Sequence, residues 1–213
     1  MRIAELSRRT GVPIPTIKYY LREGLVPAGE RTGPNQAQYG EAHVRRIRLA
    51  RALVEVGGLS IASAREALTL MFSGGLSELD TLGKAQYAMT PAREPVGEHE
   101  RDEAWDDAVA EVDELVAKRG WQVKENNPAR RTLAEALATL RRLGQDDYFA
   151  LLDSYAEAAD RLAAEEVEAV ARRGDLDSVV EAVVVWTAVG DAVLASLRRL
   201  AQEAASTRLL GDA

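Results

Sequence analysis

The stretch Arg2-Ile3-Ala4-Glu5-Leu6-Ser7-Arg8-Arg9-Thr10-Gly11-Val12-Pro13-Ile14-Pro15-Thr16-Ile17-Lys18-Tyr19-Tyr20-Leu21-Arg22-Glu23-Gly24 reads as two short helices around a tight turn. Ile3 and Leu6 fall on one helical face. Gly11-Val12-Pro13 then stops the first helix, because Gly favours left-handed backbone and Pro has no N–H to donate. A second helix fits Ile14 to about Glu23, with Pro15 tolerated in its first turn. Ile17 and Leu21 face inward, leaving Thr16, Lys18, Tyr19, Tyr20 and Arg22 on the other positions, and Gly24 ends it. A short helix, a Gly-containing turn and a short helix with a polar outer face make a helix-turn-helix.

Outward from this pair, residues 26–40 hold Pro27, Gly29, Gly33, Pro34, Asn35 and Gly40, which is turn chemistry for a hairpin or loop. Arg31, Asn35, Gln36 and Gln38 would suit a wing lying along a phosphate backbone. A longer helix is expected from about Glu41 to Val56, with Val44, Ile47, Leu49 and Leu53 apolar and four Arg among them. Gly57-Gly58-Leu59 breaks it, and Ser60 can cap a further helix from Ile61 to about Met71. Residues 73–100 have little apolar periodicity and read as a connector, with room for a short helix around Leu76–Ala88. Beyond them the chain is helical almost throughout. One stripe is Trp105, Val109, Val112, Leu115 and Val116, a second is Leu133, Leu137 and Leu140, and a third is Tyr148, Leu151, Leu152, Tyr155 and Leu162. Gly174-Asp175 marks a turn before a last long helix from about Leu176 to beyond Leu200. The expected fold is mainly α: a winged helix-turn-helix over 1–72, a connector over 73–100, and an all-helical dimerisation and effector domain over 101–213.

Charge divides along the same line. The 213 residues carry a net charge of −7. Residues 1–72 hold eleven Lys or Arg against six Glu, a net of +5, so the remainder carries −12. A basic third joined to an acidic two-thirds points to two modules with different partners. The absence of Cys excludes disulfides, thiolate metal sites and thiol switches. His43 and His99, the two histidines, read as surface or linker residues and offer no metal site. The most apolar stretch, Val179–Leu197, is interrupted by Glu181 and Asp191, so no membrane span is expected. The N-terminus lacks the apolar core of a signal peptide, and a soluble cytoplasmic protein is the expectation.

The series Arg2–Val12, Thr16-Ile17-Lys18-Tyr19-Tyr20, Gly24-Leu25-Val26-Pro27, Arg31-Thr32, Tyr39 and Gly57-Gly58-Leu59-Ser60-Ile61 resembles the DNA-binding domain of MerR-family transcription regulators over residues 1–71. The resemblance implies a winged helix-turn-helix whose second helix enters the major groove of double-stranded DNA. By position, Thr16, Lys18, Tyr19, Tyr20, Arg22, Arg31, Asn35, Gln36, Tyr39 and Arg45 would be its DNA contacts. It further implies a homodimer on a palindromic promoter or operator, distortion of that promoter, and RNA polymerase as a further partner. The chain departs from the family where Gln36-Ala37 stands in place of a Tyr-Arg pair in the wing, and where Leu21-Arg22 replaces two acids after the tyrosines. Because the family's metal and redox sensors bind through cysteine, that mode of sensing is absent and no cofactor is expected.

The C-terminal helices look loosely like TetR-family ligand-binding domains in pattern. Trp105, Trp121, Tyr148, Tyr155 and Trp186 are the candidate lining of a site for a small organic effector, with core or dimer seam as their competing role. No P-loop, dinucleotide fingerprint, metalloprotease helix or nucleophile elbow is present, so an enzyme is not expected. Adjacent acids such as Asp106-Asp107 and Glu165-Glu166 point about 100° apart on a helix and read as solvated faces. The reading is a sequence-specific transcription regulator. Its rivals are a ligand-free, excisionase-like DNA-bending protein and a drug-sequestering protein with secondary DNA binding.

Overall fold

The computed structural model describes residues 1–33, 36–73, 87, 102–174 and 176–211. The chain divides into two compact units, one made of Met1–Pro91 with Arg173–Ala213 and the other of Ala92–Arg172.

In the first unit, α1 (Ile3–Thr10) and α2 (Ile14–Arg22) are followed by a hairpin of β1 (Glu30–Gly33) and β2 (Gln36–Gln38). Gly11 makes the turn between the helices at φ +70, and its N–H closes α1 by donating to the Ser7 carbonyl. The hairpin strands are antiparallel, pairing Glu30 with Gln38 and Arg31 with Ala37, with a bulge between Arg31 and Gly33. Then come α3 (Glu41–Arg51), a π-helical turn (Ala52–Val56) and α4 (Ile61–Ser73). Ser60 caps α4 as its sequence position suggests, its Oγ accepting from the Ser63 N–H at 3.1 Å. Leu6, Ile17, Leu25, Ile47, Leu53 and Leu68 are fully buried at the centre. Each such side chain contributes about 1.5–3 kcal/mol relative to exposure. The basic residues of α3 are largely structural. Arg46 donates to the Leu25 carbonyl at 2.6 Å, Arg48 donates to the Arg9 carbonyl at 2.9 Å, and Arg51 pairs with Glu55 at 2.7 Å.

The second unit contains α5 (Glu103–Arg119), α6 (Pro128–Arg142), a 3-10 turn (Asp146–Leu151) and α7 (Leu152–Ala171). Asp102 caps α5 by accepting the Trp105 N–H at 2.9 Å, and Asn127 caps α6 by accepting the Ala129 N–H at 2.9 Å. Ala108, Val112, Leu115, Ala134, Leu137, Ala138, Leu152 and Ala156 form the core. The anticipated stripes on α5 and α6 are therefore the packed faces. Their flanks are tied by Arg142 to Asp102 at 2.8 Å and by Arg130 to Asp113 at 2.5 Å.

The last helix, α8 (Leu176–Leu210), does not close the domain expected over 101–213. It belongs to the first unit, where it packs on the π-helical turn and on α4. Val180, Ala182, Val183, Val184 and Ala188 are buried there. Periodicity correctly marks an apolar face on this helix, but periodicity does not say which element covers it. Ser178–Leu210 is also long and apolar enough to cross a membrane by length and composition. Its first half is occupied by protein contacts instead. The connector over 73–100, the short helix around Leu76–Ala88 and His99 lie outside the described residues, apart from Ser73 and Tyr87.

Candidate nucleic-acid interface

The polar face of α2 exists because its other face is consumed by the core. Ile17 and Tyr20 are 0% and 2% exposed, and the 100° step between successive residues turns Lys18, Tyr19 and Arg22 outward. The Arg22 guanidinium lies 5.1 Å from the centre of the Tyr19 ring and bonds Glu23 at 3.1 Å, so it is held along the outer surface. Thr16 is half-buried at the start of the helix.

The hairpin is fastened beside this helix by the chain's first residue. The Met1 ammonium donates to the Tyr39 carbonyl at 2.7 Å, and the Tyr39 N–H returns a bond to the Met1 carbonyl at 2.9 Å. Tyr39 also packs edge-on against His43, with ring centres 5.3 Å apart. His43 is a local cap, its Nδ1 accepting the Gly40 N–H at 3.1 Å.

This clasp creates an open groove of about 370 Å³ lined by Arg2, Ile3, Lys18, Arg31, Gly33, Gln36, Ala37 and Tyr39. Three cations, one amide and one phenol line it, with no carboxylate among the lining residues. Such a set suits a phosphate backbone: the cations neutralise charge while the amide and phenol donate neutral hydrogen bonds. Four residues predicted from sequence, Lys18, Arg31, Gln36 and Tyr39, are thus brought together from α2 and the wing. Arg2 joins them although sequence reading did not select it. The signal was its place immediately before α1, but only the clasp to Tyr39 carries it to the wing.

Two predicted contacts fall elsewhere. Tyr20 is in the core, where burial pushes its hydroxyl pKa up, so the ring cannot lie on a phosphate. Arg45 is ion-paired with Glu181 of α8 and faces that helix. Asn35 lies outside the described residues.

Two proteins similar over the N-terminal portion are nodulation protein NolA of Bradyrhizobium elkanii, 37% identical over 39% of this chain and 36% of its own length, and the ZntR-homologue HTH-type transcriptional regulator of Haemophilus influenzae, 40% identical over 22% and 35%. The chain spans about a third of the length of these curated relatives. A crystal structure of SCO5550, a proposed transcriptional regulator of Streptomyces coelicolor A3(2), is similar over 99% of this chain and 98% of that one, at 37% identity and a TM-score of 0.67. The family profile described as MerR HTH family regulatory protein matches residues 1–70. The chain belongs to the MerR family. The matched residues coincide with α1 to α4, so the MerR region contains the whole cationic groove.

The candidate effector residues of this MerR-family chain do not converge. Trp105 lines a groove of about 410 Å³ between α5 and α6, with Val109, Val112, Asp113, Glu125, Arg130, Arg131 and Ala134. Trp121 instead donates its indole N–H to Asp160 at 2.5 Å. Tyr148 and Tyr155 stack on each other at 5.6 Å. Trp186 belongs to the other compact unit, under the Arg173 guanidinium at 5.1 Å.

Proposed function

We propose that this chain is a DNA-binding transcription regulator that acts as a homodimer on a two-fold-related operator. The observation that carries the reading is the cationic groove between α2 and the wing, in the N-terminal third of the chain, which has a net positive charge. An α-helix with its side chains is about 10–12 Å across and matches the ~12 Å major groove. Lys18, Tyr19 and Arg22 would enter with α2 while Arg2, Arg31, Gln36 and Tyr39 hold the flanking backbone.

The homodimer is supported by the second half of α8. Val193, Leu197 and Leu200 are 52%, 57% and 63% exposed, and their 4- and 3-residue spacing is that of a coiled-coil seam. A small organic effector is assigned to the α5–α6 groove, which Trp105 lines together with apolar Val109, Val112 and Ala134 and the charged Asp113, Glu125, Arg130 and Arg131.

Fluorescence anisotropy of the full chain on duplexes flanking its own gene tests the reading. A saturable, salt-sensitive complex with two protomers per site is expected, and Lys18→Ala weakens it with the fold intact. Absence of preference for any flanking duplex over random DNA at equal salt would overturn it.

A further inference from the structure

The helix α8 is seated along its first half and bare along its second, and two contacts fix the direction in which it leaves the seat. The first is at Gly57, just after the π-helical turn. A Cβ placed there would stand 2.8 Å from the Leu53 carbonyl oxygen, 2.9 Å from the Ala188 Cβ and 3.1 Å from the Ala188 oxygen. Only glycine lets the turn come this close to α8. The second contact is the ion pair between Arg45 of α3 and Glu181 of α8. Residues 181 and 188 are seven apart, so they share a face about 10.5 Å apart along the axis. Together with the buried Val180, Ala182, Val183, Val184 and Ala188, these two points on one face define its heading.

Beyond Ala188 the helix runs a further 22 residues to Leu210, or about 33 Å at ~1.5 Å per residue. The middle of the bare seam, between Leu197 and Leu200, lies roughly 16 Å past the seat. A tilt of about 10° at the seat therefore moves the seam by ~3 Å. A two-fold axis doubles that change, so the two seats shift relative to each other by about 5–6 Å, more than the ~3.4 Å rise of one base pair, and the α2 helices move with them.

We propose that this seat is the operator gauge: Gly57, Ala188 and the Arg45–Glu181 pair set the half-site spacing that one dimer accepts. The inference rests on the homodimer reading given above. It assigns these residues to spacing, and leaves the chemistry of each half-site to α2 and the wing.

The test begins with the full-length wild-type chain. Selection from a random duplex library supplies the preferred half-site. Two inverted copies are then separated by every spacing up to two helical turns, and binding is measured beside sedimentation of the free protein. The wild type should be dimeric with one favoured spacing. Gly57→Ala and Glu181→Gln should remain dimeric and bind a single half-site within about twofold of wild type, while their favoured spacing shifts by a base pair or more, or binding at the original spacing falls about tenfold. An unchanged spacing profile in folded, dimeric variants overturns the gauge and leaves the dimer intact. A monomeric wild type indifferent to spacing overturns the dimer reading itself, before any variant is made. If Gly57→Ala loses half-site binding through misfolding, the surface change Glu181→Gln decides alone.

Discussion

Tyr19 and Tyr20 are chemically identical neighbours with opposite surroundings. The 100° helical step leaves one ring 36% exposed beside Arg22 and turns the other into the core at 2%. Nothing in the pair Tyr-Tyr says which is which, because either ring can bury its body or lay its hydroxyl on a phosphate. The answer comes from Ile17, three residues before Tyr20 on the buried face. Tyr20→Ala should cost about 3–5 kcal/mol in chemical denaturation, the range for a large buried ring. Tyr20→Phe should leave the slope of log affinity against log salt unchanged. The arginines make a similar contrast. Arg31 lines the groove, whereas Arg45 is committed to Glu181. Arg31→Ala should make the salt slope shallower by about 0.9, the loss of one phosphate neutralised, and Arg45→Ala should not change it on a single half-site. Titrations of both variants at a series of salt concentrations separate the two roles. Equal slopes for the two would move Arg31 out of the interface.

At the scale of elements, the boundaries that Gly, Pro and Ser dictate were readable. Gly11 closes α1, Pro15 sits in the first turn of α2, and Ser60 caps α4. The break between α3 and the π-helical turn at Ala52 was not, since the predicted helix ran unbroken to Val56. A π turn differs from α by one extra residue in the hydrogen-bonded loop, here Gly57 N–H to the Ala52 carbonyl at 2.9 Å. That choice goes with a contact to α8, more than a hundred residues away. Capping in the second unit gives a pH prediction. The Asp102 carboxylate accepts from Arg142 and from the Trp105 N–H, which hold its pKa down at about 2. An unfolded aspartate titrates at about 3.9. The folded value is the lower one, so this link stabilises α5 above about pH 4 and is lost as the pH falls toward 2. In a Trp186→Phe background, tryptophan fluorescence reports Trp105 and Trp121 of the second unit. There, Asp102→Asn should destabilise at pH 7, and the difference from its parent should close as pH approaches 2. A constant difference across that range would remove Asp102 as the titrating group.

At the scale of the molecule, sequence patterning divided the chain by charge and located the groove-forming third, but assigned the last helix to the wrong unit. Hydropathy gives α8 an apolar face; it takes three dimensions to show that Val180–Ala188 is spent on the N-terminal unit and that the remainder is open. The same helix then has two tasks in sequence order, seating and then pairing. Mutating the second half should not disturb the first. Leu197→Glu or Leu200→Glu puts a charge into the proposed seam, while both positions are more than half exposed in the single chain. A buried, unpaired carboxylate is strongly unfavourable in a dimer and nearly neutral on a solvated monomer surface. Sedimentation should show wild-type dimers and monomeric variants, with thermal unfolding of the monomer little changed. Single half-site binding should persist, and binding to paired half-sites should fall by the lost effective concentration of the second reader. Variants that stay dimeric would place the pairing surface away from α8 and leave its exposed leucines without this role.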